Sequence, residues 1–133
     1  MSKGVWSWGV VAAACACAFA AMAADSPPAA KSSGKECFYA RNVSSWAPGP
    51  DRSIVNLKVN VRDYFQLKLL GSCPDIDWVQ GIGLEHRGAD WICSGLDATV
   101  IVHSTIGLQR CPAISVRKLT PEEVAALPPR QKP

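Results

Sequence analysis

Much of the usual catalytic and metal-binding grammar is missing from this sequence. It has two histidines in 133 residues. It contains no Cys-x-x-Cys pair, which argues against a thioredoxin-like redox site and against zinc, whose ligands come in closely spaced pairs. No Gly-x-Ser-x-Gly turn is present to expose a nucleophilic serine. Charge of one sign is also lacking: 14 Lys and Arg stand against 11 Asp and Glu, for a net +3. That balance argues against nucleic acid or an anionic membrane surface as a partner.

The N-terminus has a recognisable pattern. Met1-Ser2-Lys3-Gly4 carries one positive charge, and an uncharged Ala- and Val-rich run follows from Val5 to Ala24. Ala21-Met22-Ala23, just before Asp25, is a small-x-small cleavage signal. Together these form a bacterial-type secretory signal peptide over residues 1–23. A retained membrane helix fits the length but not the composition or the cleavage site. A third reading stays open: Cys15 or Cys17 could take a lipid and anchor the protein, although Ala12 stands where lipoprotein signals usually place Leu. The expected address is therefore periplasmic or secreted, with a membrane-anchored lipoprotein as the alternative. Residues 24–35 hold no large apolar side chain and read as a flexible linker.

Four cysteines remain beyond the leader: Cys37, Cys73, Cys93 and Cys111. An even number in a small exported domain reads as two disulfides. Three pairings are open, and Cys37 with Cys111 plus Cys73 with Cys93 is the working expectation.

Val55, Leu57, Val59 and Val61 alternate with Asn56, Lys58, Asn60 and Arg62, the period of a strand with one apolar face. Phe65, Leu67 and Leu69 keep that parity, which either a hairpin with an odd-length loop near Arg62-Asp63 or one long, bent strand would preserve; the hairpin is the working expectation. Further strands are expected over 37–43, 81–86, 91–93, 98–105 and 113–119, the last placing Ile114 and Val116 on one face. Turn chemistry separates them, as in Ala47-Pro48-Gly49-Pro50-Asp51. Thr120-Pro121-Glu122-Glu123 is a capping box that opens a short helix. The expected architecture is mainly β: a small antiparallel barrel or sandwich over 36–127, stapled by two disulfides, with a short C-terminal helix and a disordered tail at 128–133.

Cys37-Phe38, Leu69-Leu70-Gly71-Ser72-Cys73, Trp91-Ile92-Cys93, Arg110-Cys111-Pro112 and Leu119-Thr120-Pro121-Glu122-Glu123, in that order, resemble a family of small four-cysteine exported bacterial proteins classed as a domain of unknown function. The resemblance covers about 36–127. It implies export and disulfides, and brings no activity or catalytic residue.

Several residues are candidates for chemistry. Asp75-x-Asp77 could open a calcium loop, but Val79, Gln80 and His86 stand where an EF-hand needs a ligand, Gly and Glu. Gly81-Ile82-Gly83 lacks the third glycine of a dinucleotide fingerprint. His103 falls on the outer face of its strand, and His86 in a solvated loop. Trp91, beside Ile92 and Cys93, is expected in the core. Trp46 and Trp78, with Arg41 and Arg52, are the candidate binding surface, since exposed aromatics and arginines mark interfaces. No cofactor is expected. The sequence points to an exported non-enzymatic binding or envelope-associated module whose partner is an envelope or extracellular protein. Two alternatives stand beside it: an enzyme inhibitor presenting Trp46–Asp51 or Asp75–Trp78 as a rigid loop, and a small hydrolase using Asp75, Asp77 or His103.

Overall fold

A computed structural model describes residues 36–133; the expected signal peptide, linker and lipidation cysteines lie outside the described residues. Among the described residues eight strands form: β1 (Phe38–Tyr39), β2 (Val43–Pro48), β3 (Ile54–Val59), β4 (Asp63–Leu69), β5 (Ile82–His86), β6 (Trp91–Ile92), β7 (Ala98–Ser104) and β8 (Gly107–Lys118). Six of them make one curled antiparallel sheet, a half-barrel, in the order β2-β3-β4-β8-β7-β5. β1 and β6 pair separately. The mainly-β expectation is met, including the helix α1 (Pro121–Ala126). There the Thr120 hydroxyl accepts from Glu123 N–H and the Glu123 carboxylate accepts from Thr120 N–H.

Alternation accounts for the centre of the sheet. Val55, Leu57 and Val59 of β3 and Phe65, Leu67 and Leu69 of β4 are all buried. They meet Val100 and Val102 of β7 and Cys111 and Ala113 of β8 in one cluster. The small sheet closes this cluster with Phe38 and Ile92; the Phe38 and Phe65 ring centroids lie 4.6 Å apart. The β3–β4 hairpin forms, with Val59 opposite Asp63 as its last pair. Its loop is therefore Asn60-Val61-Arg62. Asn60 takes the left-handed conformation (φ 54°) that Asn tolerates. Val61, expected to face inward, is instead 77% exposed at the loop tip.

The structure corrects several other expectations. The disulfides are Cys37–Cys93 and Cys73–Cys111, not the nested pairs. Pairing of Phe38 with Ile92 puts Cys37 directly opposite Cys93. Leu70 N–H donates to Pro112 C=O, which lays the chain after β4 beside Cys111. Strand pairing therefore decides the connectivity. The single strand expected over 37–43 is broken by a 3-10 turn at Ala40–Asn42, and its halves join different sheets. β2 then runs on to Pro48, where a turn was expected; as an edge strand it tolerates proline. In β8 a bulge changes the parity: Lys68 pairs with Ser115 but Leu69 with Ala113. Ile114 is skipped and exposed, while Val116 packs against the core.

Asn56 is the one fully buried polar side chain in the described core (0% exposed), although its place in the alternation is on the outer face. The C-terminal segment covers it. Asn56 Nδ2 donates to the Gln131 carbonyl at 2.9 Å, and its Oδ1 accepts from Gln66 Nε2 at 2.9 Å. Arg117 Nε donates to Gln66 Oε1, and Arg117 Nη1 to Glu123 of α1. This polar ladder crosses β3, β4 and β8 and ends on the helix. The Thr120 N–H and then the Arg117 guanidinium hold the Glu123 carboxyl below its ordinary range. Residues 128–133, expected as a tail, include a 3-10 turn at Pro129–Gln131, next to this ladder. Asn56→Ala is expected to cost about 1–3 kcal/mol, because it leaves the Gln131 carbonyl and the Gln66 amide without their partner. Urea unfolding of the variant measures it, and a loss below about 0.5 kcal/mol would rule out a structural role for the ladder.

Candidate functional site

The segment between β4 and β5 is a loop with fixed anchors. Cys73 is buried and bonded to Cys111 of β8. Its N–H donates to the Arg52 carbonyl. Ile76 is wholly buried in the core. Asp77 forms an ion pair with Arg52, Nε to Oδ2 at 3.0 Å. Between these anchors Asp75 takes a left-handed conformation (φ 62°), which Asp adopts more readily than most residues. Trp78 N–H donates to the Asp75 carbonyl at 2.9 Å and closes a tight turn. With Ile76 plugged inward, Trp78 is left 79% exposed.

Beside Trp78 lies a cavity of about 410 Å³. The loop supplies Asp75, Trp78, Val79, Gln80 and Gly81, and the end of β7 supplies His103, Ser104 and Thr105. Gln109 of β8 joins the two sides: its Nε2 donates to Asp75 Oδ2 at 3.3 Å and to Ser104 Oγ at 3.4 Å. Its Oε1 is buried and has no hydrogen-bond partner among the described residues. Ser104 Oγ is otherwise used within its own hairpin, donating to Gly107 C=O and accepting from Ile106 N–H. The side chains of Gln80, His103 and Thr105 make no hydrogen bond among the described residues. Among the described residues no Lys or Arg lines the cavity.

The sequence candidates divide. Trp78, Asp75 and His103 come together at this cavity. Asp77 of the loop pairs with Arg52 of the β2–β3 turn, and neither lines the cavity. Trp46 lies in β2, half-buried against the core and opposite Leu57. Arg41 bonds Asp90 and sits 5.5 Å from the centre of the Tyr39 ring. Trp91, expected in the core, is 44% exposed and stacks on Tyr39 with centroids 3.6 Å apart. β6 has only two residues, and Ile92 takes the inward position, so Trp91 faces out. A second cavity, about 290 Å³, lies by Trp91, Asp63 and Lys118. Two of its charges pair, Lys118 Nζ with Asp63 Oδ1 at 3.0 Å, and the Glu36 carboxylate also lines it. The Asp63 partner raises the Lys118 pKa.

Gln109 and Gln80 were not picked out from the sequence. For Gln109 a signal existed: it shares inward parity with Cys111 and Ala113, and a polar residue at an inward position calls for a partner. Gln80 follows a turn and carries no comparable signal. Among the described residues no group of three or more His, Cys, Asp and Glu stands together to hold a metal ion.

The cavity therefore offers one exposed indole, one carboxylate and several neutral donors and acceptors on an anchored frame. That arrangement suits recognition of a small polar ligand. Two disulfides are consistent with an extracellular or periplasmic setting. No curated protein and no solved structure matches the chain. One family model matches residues 4–132, nearly the whole length. The chain belongs to the family of unknown function DUF6491.

Proposed function

We propose that this chain is an exported, non-enzymatic binding module of the bacterial cell envelope or its surroundings, and that it acts through the Asp75–Trp78 loop and the adjoining cavity. One observation carries the reading: Trp78 is 79% exposed on a loop that Cys73, Ile76 and Asp77 hold in place. A large aromatic fixed in the exposed position loses little entropy when a ligand covers it. Trp78→Ala is expected to weaken retention of the protein on envelope material at least tenfold without changing stability. Leu96→Ala, also at an exposed position, is the control and is expected to bind normally. Equal retention of wild type and Trp78→Ala would overturn the reading.

Export is supported by the leader pattern and the disulfides. Protein recovered from an envelope fraction is expected to have the mass of 24–133 less four hydrogens, regained on reduction. A mass starting at Cys15 or Cys17 with acyl chains would replace the unanchored form with a lipoprotein.

A second reading has an observation of its own, since Asp75 and His103 line the same cavity. In a hydrolase they would act on a substrate bound there. Ester, phosphoester and glycoside substrates are expected to turn over no faster than in buffer. A rate that His103→Ala abolishes would make the protein an enzyme.

A further inference from the structure

We infer that the ligand of the Trp78 cavity is a neutral glycan, one sugar ring lying against the indole and its hydroxyls bonding to the polar lining. This rests on the reading of the cavity as a binding site and names its ligand class. The exposed indole offers a flat, electron-rich face. The C–H bonds on one face of a pyranose carry the complementary partial positive charge, and the same face is the less hydrated part of the sugar.

The polar lining matches the remainder of the ring. Asp75 Oδ2 takes the Gln109 amide, and Asp75 Oδ1 has no partner among the described residues. The Gln80 amide, the His103 imidazole and the Thr105 hydroxyl make no side-chain hydrogen bond among the described residues. These groups include both donors and acceptors. A sugar hydroxyl both donates and accepts, so adjacent hydroxyls can satisfy such a mixture. Two other ligand classes fit less well. An anion would meet the Asp75 carboxylate and, among the described residues, no Lys or Arg, because Arg52 is held by Asp77 outside the lining. An ammonium ion would suit Asp75 and the indole. Having no acceptor, it would leave the donors of Gln80 and His103 desolvated and unpaired. The volume, about 410 Å³, lies toward the small end of ligand pockets, about 300–1,000 Å³. Gly81 adds no side chain, and a Cβ there would meet open space, so further sugars can run past it.

The test follows the indole N–H signal of Trp78, assigned with Trp78→Phe, while the protein is titrated with N-acetylchitotriose, cellotriose and maltotriose. At least one is expected to give a saturable shift, with Kd on the order of 0.1–1 mM for so small a ligand. Trp78→Ala is expected to weaken binding at least tenfold, and raising salt about tenfold to leave it unchanged, since no ion pair is involved. Saturable, salt-sensitive binding of tetramethylammonium with no response to any sugar would overturn the glycan assignment. Envelope extract serves as a separate arm. If extract moves the Trp78 signal and the sugars do not, the glycan inference fails and the binding site stands. If neither moves it, both fail.

Discussion

Replacing Cys73 and Cys111 together by alanine is expected to lower the unfolding free energy by about 4 kcal/mol. The bridge spans 38 residues, and cutting it frees that loop in the unfolded chain. A domain of this size has a net stability of only about 5–15 kcal/mol, so the midpoint of thermal unfolding should fall by roughly 15–30 °C. The Cys37–Cys93 bridge spans 56 residues. Because loop entropy grows only with the logarithm of length, its removal should cost nearly the same. The two variants should separate in function. Cys73 anchors the loop that carries Trp78, whereas Cys37 and Cys93 join the small sheet. Loss of Cys73–Cys111 should therefore weaken binding at the Trp78 cavity under conditions where the protein is still folded, and loss of Cys37–Cys93 should not. Urea unfolding and the Trp78 titration, run on both variants, measure these two effects. Equal binding by both variants would show that Ile76 and Asp77 hold the loop without the bridge.

Gly95→Ala is expected to destabilise by about 3 kcal/mol or more, at the upper end for a single added methyl. A Cβ at this position would stand 2.0 Å from Ser115 N, 2.2 Å from Ile114 C and 2.4 Å from Ser115 Cα. All three are backbone atoms of β8, so no side chain can rotate away to relieve the clash. The 3-10 turn Gly95–Asp97 is itself well made: Ser94 N–H donates to Asp97 Oδ2 at 2.9 Å, and the Ser94 hydroxyl accepts from Leu96 N–H. A capped turn resists deformation, so the strain should fall on β8 at its bulge. Lower urea stability and faster amide exchange at Ser115 and Val116 are the expected signs. A change below about 0.5 kcal/mol would mean that the turn and the bulge separate at little cost.

These two positions also show what the sequence could and could not reveal. Alternation in 55–69 marked β3, β4 and six of the core side chains, because one face is buried and a slip by one residue would expose it. The capping box at Thr120 was equally readable, being a local hydrogen-bond pattern. The disulfide pairing was not. It depends on β1 finding β6 across more than half of the domain, and nothing local to Cys37 encodes that. Nothing local to Gly95 encodes its role either, since its reason is a close approach to β8. Asn56 looked exposed, since its cover comes from the far C-terminus. The candidate site was half legible: Trp78, Asp75 and His103 were named separately, but their meeting depends on Ile76 turning inward and on Gln109 joining β8 to the loop.

The most direct test of the binding reading is a residue-by-residue map of amide and indole shifts when the native protein meets envelope extract. Asp75, Trp78, Gln80, His103 and Thr105 are expected to move together and to saturate, while Tyr39, Trp91 and Asp63 stay still. Shifts centred on Trp91, or none anywhere, would contradict the assignment of function to the Trp78 loop.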